Sequence, residues 1–385
     1  GVAHKSVLKT KPERIAITGM SIANSLGSSC EEVITASLAQ KSGVTLIPPS
    51  RWDHSIYFDP RPRTPEKTYC NVGAFMHLDI SRRDIGVAPH DFLTMTGATK
   101  ITMFLAERAL RESGILDSNI PRERISVLIS QNAGEAAGTL QDMIVRGSTD
   151  AIVKAAKKVL ELETSELSAL ENEIKRGRLA VDDTTLLGRL NCSAGGFICN
   201  KYGFMGPSFA VSAACATSLV ALYTAIQFIR NGIIDAAIVG GGEEFLSPMH
   251  FLEFSALGAL AGISGLERQP SETSRPFDRY RDGMVLGEGG GMLVIEKESV
   301  ALKRGAKIHA FITSVGASNN HLGMVESSSQ TQEIAIQASF NGLHYGPDAI
   351  DFVECHATGT RQGDVEEVRA LGRFFKEPNG PVLSS

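Results

Sequence analysis

The chain has 385 residues, 43% of them hydrophobic and 21% charged, a balance typical of a globular protein with one large α/β domain or two fused ones. Its net charge of -5 gives no reason to expect nucleic acid or an anionic membrane as a partner. The six cysteines form no CxxC pair, which argues against a zinc site and a disulfide framework. A reducing, cytosolic compartment is therefore expected.

The first third of the chain predicts a strand, a helix and a second strand. Residues 1–13 are polar, lack the apolar core of a secretory signal and are expected to form a flexible lead. An apolar run over 15–18 predicts a buried strand, followed by a small-residue loop over 19–27. Helical periodicity over 99–112 ends at Gly114, and a strand is predicted over 125–130.

Residues 140–188 carry two charge-rich helical patterns, over 150–162 and 165–176. A segment of this length is at the lower end of what folds alone. We therefore expect a helical insertion packed on the surface rather than a separate domain.

The stretch over 209–242 has the pattern expected of a nucleophile site. A strand over 209–212 leads into a small-residue turn with Cys215, an apolar helix to Ile229 and a second strand over 236–239. Polar residues within the helix favour a buried core helix over a membrane span. A thiol at a helix N-terminus meets unpaired N–H groups that favour the thiolate, although a lone cysteine is more often a small apolar core residue.

An internal repeat divides the chain into two halves. The strand that begins at Arg14 is echoed by one over 307–311, and the Gly-Pro pair at 206 is echoed at 380. The second copy then predicts a helix ending at Gly342 and strands over 350–355 and 382–385.

Five motifs in order along the chain resemble the β-ketoacyl synthases, the condensing enzymes of fatty-acid and polyketide assembly. They are RIAITGMSIANSLG (14–27), the segment 51–75, AACATSLVAL followed by DAAIVGGGEE, SRPFDRYRDGMVLGEGGGMLVIE (274–296) and ECHATGTRQGDVEE (354–367). The 51–75 segment is most similar to ketosynthases of modular polyketide and polyunsaturated-fatty-acid synthases, as is the 140–188 insertion.

The resemblance implies a thiolase-like α/β fold with two pseudo-symmetric βα halves in five αβαβα layers. The halves would comprise residues 14–300 and 301–385. By the pattern of the first copy, the second half is incomplete, and we expect it to be truncated because a sheet without its closing strands leaves an open edge.

The resemblance also implies an active site. Cys215 would hold the acyl group, with its own backbone N–H as an oxyanion donor, and His356 would stabilise the malonyl carbonyl as it becomes an enolate. We expect the helix terminus alone to activate Cys215. Thr358 and Thr360 match the threonines that hydrogen-bond the phosphopantetheine arm.

Two acidic residues follow one helical turn apart. In the family, the acid at Glu367 pairs with a buried lysine, and the one at Asp364 is structural. That lysine, a second histidine and a glycine-rich gating loop would come after Ser385. Alanine replaces the usual glycine at Ala357, with a small geometric effect expected.

These residues predict a β-ketoacyl-[acyl carrier protein] synthase that performs a decarboxylative Claisen condensation. Acyl carrier protein would be its partner, no cofactor or metal is expected, and a homodimer would form through the strand over 209–212. The glycine-rich stretches fit no nucleotide motif and predict close backbone packing. The alternatives are a thiolase-type or initiating synthase, which SRPFD and HATGT disfavour, and a non-catalytic chain-length-factor type of subunit or fragment, which would lack Cys215.

Overall fold

A computed structural model describes residues 13–131, 148–160, 162–176, 190–244, 246–265, 267–323, 325–375 and 380–384. The expected flexible lead therefore lies outside the described residues except for Glu13. Much of the 140–188 insertion also lies outside them.

A mixed sheet of six strands forms the centre of the molecule, in the order β5-β4-β6-β7-β1-β8. Strand β4 is parallel to both β5 and β6, whereas the other neighbours are antiparallel. The strands are β1 (Ile15–Asn24), β4 (Ile125–Ser130), β5 (Ser208–Val211), β6 (Ala236–Glu243), β7 (Gly289–Lys297) and β8 (Ala310–Ile312).

Two smaller sheets have two strands each. An antiparallel pair joins β2 (Thr45–Leu46) to β3 (Val72–Gly73), and a parallel pair joins β9 (Phe352–Glu354) to β10 (Val382–Ser384). The β9 and β10 strands confirm the two strands predicted near the end of the chain.

Thirteen α-helices lie within the described residues. They are α1 (Cys30–Leu38), α2 (His54–Tyr57), α3 (Arg82–Ile85), α4 (Pro89–Thr94), α5 (Gly97–Ser113), α6 (148–160), α7 (Thr164–Arg176), α8 (Ser193–Tyr202), α9 (Thr217–Arg230), α10 (Pro248–Ala256), α11 (Glu298–Lys303), α12 (Ser329–Ser339) and α13 (Arg361–Phe375). Helix α5 ends at Gly114 in the left-handed conformation, as predicted, and α6 and α7 confirm the two helical patterns of the insertion.

The predicted loop over 19–27 is wrong for most of its length, because β1 continues to Asn24. A register shift between Ile17 and Gly19 interrupts the pairing of β1 with β7. Such a bulge breaks the two-residue alternation that marks a strand in a sequence.

The sheet is covered on both faces. Helices α5 and α8 pack on one face with a cluster that includes Leu105, Ile129 and Ile198, and α9 packs on the other with Leu128, Ala225 and Ile226. The fully buried β4 reads as a continuous apolar run for this reason. The close packing predicted for the glycine-rich stretches is confirmed at Gly240, where an added Cβ would lie 2.1 Å from the Gly291 carbonyl oxygen.

Helix α9 packs on the core, as predicted, and is buried on one face only. Ala221 and Ala225 face the sheet, whereas 71% of the Leu219 surface is exposed. The apolar sequence therefore predicted the helix. It did not predict that the other described residues leave one face of the helix exposed.

The described residues of 301–385, called the second region here, are more exposed to solvent than the large sheet. Phe352 on β9 is 54% exposed and Val382 on β10 is 66% exposed. The strand predicted to begin the second copy, β8, does not join β9 and β10 but pairs with β1 at the edge of the large sheet. No helix within the described ranges is long and apolar enough to cross a membrane.

Candidate active site

A strained turn presents Cys215 at the end of β5. Residues Ala214–Ala216 form a single 3-10 turn, and α9 begins at Thr217. Ala214 has a φ of 48°, a left-handed conformation that costs a residue with a Cβ about 1–2 kcal/mol. The Cys215 side chain is exposed at this turn.

The Thr217 hydroxyl forms hydrogen bonds with two backbone groups of the turn, one in Ala213 and one in Ala214. It accepts a hydrogen bond from the Ala213 N–H at 2.8 Å and donates one to the Ala214 carbonyl oxygen at 2.6 Å. The threonine is only 4% exposed, so little water competes for these bonds.

His356 lies at the start of a loop that follows β9, and the Glu367 carboxylate holds the backbone of that loop. Glu367 accepts hydrogen bonds from the N–H groups of His356 at 2.6 Å and Ala357 at 2.8 Å. Ala357 has a φ of 44°, again left-handed. Two charge-assisted bonds thus fix the backbone from which the imidazole projects.

Asp364, 1% exposed, ties the same loop to a distant segment. It accepts from the Gly359 N–H at 3.0 Å and from the Phe277 N–H at 2.8 Å, and it pairs with Arg281 at 3.2 Å. Phe277 has a φ of 60°. The segment with the SRPFDRYRDG motif therefore braces the His356 loop, and the structural role expected for Asp364 agrees with these contacts.

Close backbone contact explains one glycine of this loop. Gly359 has a φ of 74°, and an added Cβ would lie 2.9 Å from the Gly283 carbonyl oxygen. The Gly283 N–H donates to the Gly359 carbonyl oxygen at 3.1 Å. The two motifs thus meet backbone to backbone, which only a residue without a side chain permits.

The fold brings Cys215 and His356 into contact, and each changes the other's proton affinity. The hydrogen bond from His356 is the largest cause that lowers the pKa of the Cys215 thiol, against the opposing effect of burial. The same bond raises the pKa of His356, and the charges of Glu367 and Asp364 raise it further. The pair therefore favours a thiolate beside an imidazolium.

Other cysteines have the opposite environment. Burial raises the pKa of Cys70 to about 11, and burial also raises the pKa of Cys199 and Cys355. Cys355 precedes His356 in the chain, so the difference between it and Cys215 comes from the local contacts rather than from the region. Cys215 is accordingly the nucleophile candidate.

Thr358 and Thr360 lie on the loop beside His356, as the motif predicts. Their hydroxyl oxygens are 2.9 Å apart, and the Thr360 hydroxyl accepts from the Gly363 N–H at 3.2 Å. Both side chains are half-buried. Their assignment to the phosphopantetheine arm stays a prediction.

One detail differs from the expectations of the sequence, and two others add to them. His356, rather than the helix terminus alone, is the main cause of the lowered pKa of Cys215. Glu367 contacts backbone N–H groups, and within the described ranges it pairs with no lysine. The replacement at Ala357 places a Cβ at a left-handed position. Sequence reasoning also missed Thr217 and Arg281, since the backbone groups that they contact become apparent only in three dimensions.

Superposition on solved structures identifies the fold of the chain. A β-ketoacyl synthase from Burkholderia phymatum superposes with a TM-score of 0.74 at 24% identity, over 94% of this chain and 78% of that one. The oxazolomycin ketosynthase domain from Streptomyces albus superposes with the same score at 21% identity, over 94% of this chain and 56% of that one. The fold is therefore thiolase-like, as in these ketosynthases.

Family models match almost the entire sequence. The β-ketoacyl synthase N-terminal domain matches residues 12–301 and the C-terminal domain matches residues 309–385. The chain belongs to the β-ketoacyl synthase family.

Two curated relatives differ greatly in length. The PKS-NRPS hybrid synthetase of Aspergillus niger is 28% identical over 91% of this chain, which spans only 17% of that protein. The 3-oxoacyl-[acyl-carrier-protein] synthase 1 of Haemophilus influenzae is 27% identical over 97% of this chain, which spans 80% of that protein.

Proposed function

We propose that the chain catalyses a decarboxylative Claisen condensation between an acyl group on Cys215 and a malonyl thioester. The observation that carries the proposal is the placement of His356 beside Cys215, which lowers the pKa of the thiol and raises that of the imidazole. A thiolate is the form of cysteine that attacks a thioester. The contact also argues for catalysis over a non-catalytic partner subunit.

In the first step, the Cys215 thiolate attacks the carbonyl of an acyl thioester and expels the carrier sulfur as a thiolate, which leaves an acyl-enzyme. In the second step, the malonyl thioester loses CO2, and the electron pair of the broken carbon–carbon bond forms an enolate. The enolate carbon attacks the acyl-enzyme carbonyl, Cys215 leaves as thiolate, and a 3-ketoacyl thioester is released.

His356 would act in the second step. An imidazolium that donates a hydrogen bond to the malonyl thioester oxygen stabilises negative charge that appears only as CO2 leaves. The contact with Cys215 is the largest cause that raises the pKa of His356, and the charges of Glu367 and Asp364, which also raise it, favour the protonated donor. The Cys215 backbone N–H is proposed as the oxyanion donor for the acyl-enzyme carbonyl.

The substrates would arrive on the phosphopantetheine arm of an acyl carrier protein. The curated relative from Haemophilus influenzae is named for that carrier, and Thr358 and Thr360 provide two hydroxyl groups beside His356. Thioester condensation supplies its own leaving group and electron pair, so we propose no metal or additional cofactor. Six free cysteines suit a reducing, cytosolic compartment.

We also propose a homodimer that forms through β5. This strand is at an end of the large sheet and pairs only with β4 among the described strands, and Phe209 on it is 37% exposed. An unpaired strand edge is a template for a second strand, and a two-fold mate would provide one. Sedimentation velocity on the natural full-length protein tests this: an active monomer at all concentrations would contradict it.

Acyl transfer to Cys215 tests the proposed function directly. The natural full-length protein, incubated with an acyl thioester, should gain one acyl mass on the peptide that contains Cys215. Cys215→Ala should abolish this labelling, whereas Cys355→Ala, the matched control in the same site region, should retain it. Acylation of another cysteine, or equal labelling of Cys215→Ala, would show that the proposed nucleophile is wrong.

A further inference from the structure

We propose that Thr217 is a positioning residue whose buried hydroxyl holds the left-handed turn at Ala214 and so sets the Cys215 sulfur against His356. The inference rests on the proposed function, because it takes Cys215 as the nucleophile. It assigns to Thr217 no contact with substrate.

Three facts about the turn support the role. Ala214 adopts a φ of 48°, directly before Cys215 in the chain. A non-glycine residue leaves this conformation unless its surroundings oppose the change. The Thr217 hydroxyl bonds to the N–H of Ala213 and to the carbonyl oxygen of Ala214, so it connects the peptide group before Ala213 to the peptide group after Ala214 and spans the backbone of both residues.

The hydroxyl is suited to this because it uses both of its hydrogen-bonding functions at once. It accepts at 2.8 Å and donates at 2.6 Å, and a residue that offers only a donor or only an acceptor would satisfy one of the two peptide groups. The Thr217 side chain is only 4% exposed, so loss of its hydroxyl removes two hydrogen bonds from partly buried backbone groups.

The conformation of the turn affects the reactivity of Cys215, because the turn determines where the thiol lies relative to His356. His356 projects from a loop that Glu367 and Asp364 hold independently of α9. A change in the Ala214 conformation therefore moves the sulfur relative to a fixed imidazole. Without the hydrogen bond from His356, the thiol loses the largest cause of its lowered pKa.

Thr224 provides a matched control on the same helix. Its hydroxyl donates to the Val220 carbonyl oxygen at 2.8 Å, and its side chain is half-buried, so Thr224→Val removes a hydroxyl-to-backbone bond away from the turn. A Thr217 variant whose only defect is lower stability should have the same pH profile of Cys215 alkylation as Thr224→Val. A variant that displaces the nucleophile should not.

The test is the pH dependence of Cys215 alkylation by iodoacetamide, with the modified peptide quantified by mass. Thr217→Val should move the profile to higher pH, and alkylation near neutral pH should fall about tenfold, which corresponds to about 1.4 kcal/mol of lost preference for the thiolate. Thr217→Ser should keep the original profile, and Thr224→Val should keep it even if its melting temperature falls. An unchanged profile in folded Thr217→Val, or an equal shift in Thr224→Val, would overturn the proposal.

Two further variants keep the test decisive if Thr217→Val does not fold. Thr217→Ala removes the same hydroxyl without the second methyl group, and the same shift is expected. In an Ala214→Gly background the left-handed turn is unstrained, so loss of the Thr217 hydroxyl should shift the profile by less than in the parent. An equal shift in both backgrounds would contradict the role in holding strain. Alkylation needs no condensation, so its outcome is independent of whether the condensation proposed above occurs.

Discussion

The two regions that supply the active site are held together in different ways. Cys215 comes from the large sheet, where residues such as Leu128 and Ala225 are fully buried. His356 comes from the two-stranded β9–β10 region, where Phe352 and Val382 are more than half exposed. Polar contacts with Asp364 and Glu367 hold the histidine loop instead of an apolar core. The candidate site is therefore stabilised in two ways, by apolar packing near Cys215 and by polar contacts near His356.

The largest effect is expected from removal of the Asp364 carboxylate. Asp364→Ala leaves Arg281 and two backbone N–H groups without their buried partner, and loss of one member of a buried pair costs about 3–5 kcal/mol. The free energy of unfolding should be measured in urea. Hydrogen exchange should rise around His356 while β4 stays protected.

Arg369→Ala is the control for that experiment, since Arg369 is on the same helix, is largely exposed and pairs with Glu366 at the surface. It should change the unfolding free energy far less. If the two variants are equally stable, the hydrogen bonds and the ion pair of Asp364 do not hold the second region together. The proposed difference in how the two regions are stabilised would then be wrong.

The next largest effect concerns activity. His356→Ala should lower CO2 release from a malonyl thioester by about a hundredfold at pH values below the pKa of His356, as for loss of one oxyanion donor, and by less above it. Its effect on acyl-enzyme formation should depend on pH: the pKa of Cys215 rises when His356 is removed, so the thiolate is lost near neutral pH and regained above the new pKa.

Acyl-enzyme mass and labelled CO2 are measured on the same samples across pH, with the exposed His321→Ala as control. Equal loss of acylation at all pH values would refute the role of His356 in activating Cys215. Full CO2 release in His356→Ala would refute its role in decarboxylation.

The smallest effect is expected at Ala357. Glycine adopts a φ of 44° without the Cβ clash, so Ala357→Gly should stabilise the protein by up to about 1 kcal/mol and raise its melting temperature. Ala213→Gly, at a φ of -150°, should instead leave stability unchanged or lower it. A lower melting temperature for Ala357→Gly would mean that the backbone at this position carries no strain.

Local patterns in the sequence predicted most of the first region. The apolar run of β4, the periodicity of α5 and its stop at Gly114 are local signals, and the structure confirms each. The extension of β1 was missed because a bulge hides its alternation. The pairing of β8 with β1 was missed because it depends on contacts far apart in the chain.

The residues of the candidate site could be proposed from the sequence, but their contacts could not. The motifs located Cys215 and His356 and placed Glu367 one helical turn after Asp364. No sequence pattern reveals that Ala214 and Ala357 are left-handed, because side chains elsewhere hold them there. For the same reason, the sequence indicated the helix terminus rather than His356 as the source of thiol activation.

The contact between Cys215 and His356 makes the reactive thiol a product of folding. A ribosome delivers Cys215 long before His356, and until the two segments meet the cysteine lacks the hydrogen bond that is the main cause of its lowered pKa. During synthesis it therefore behaves as an ordinary thiol, mostly protonated and slow to react with electrophiles or oxidants. The enzyme thereby withholds its nucleophile from chemical damage until the second region is in place to use it.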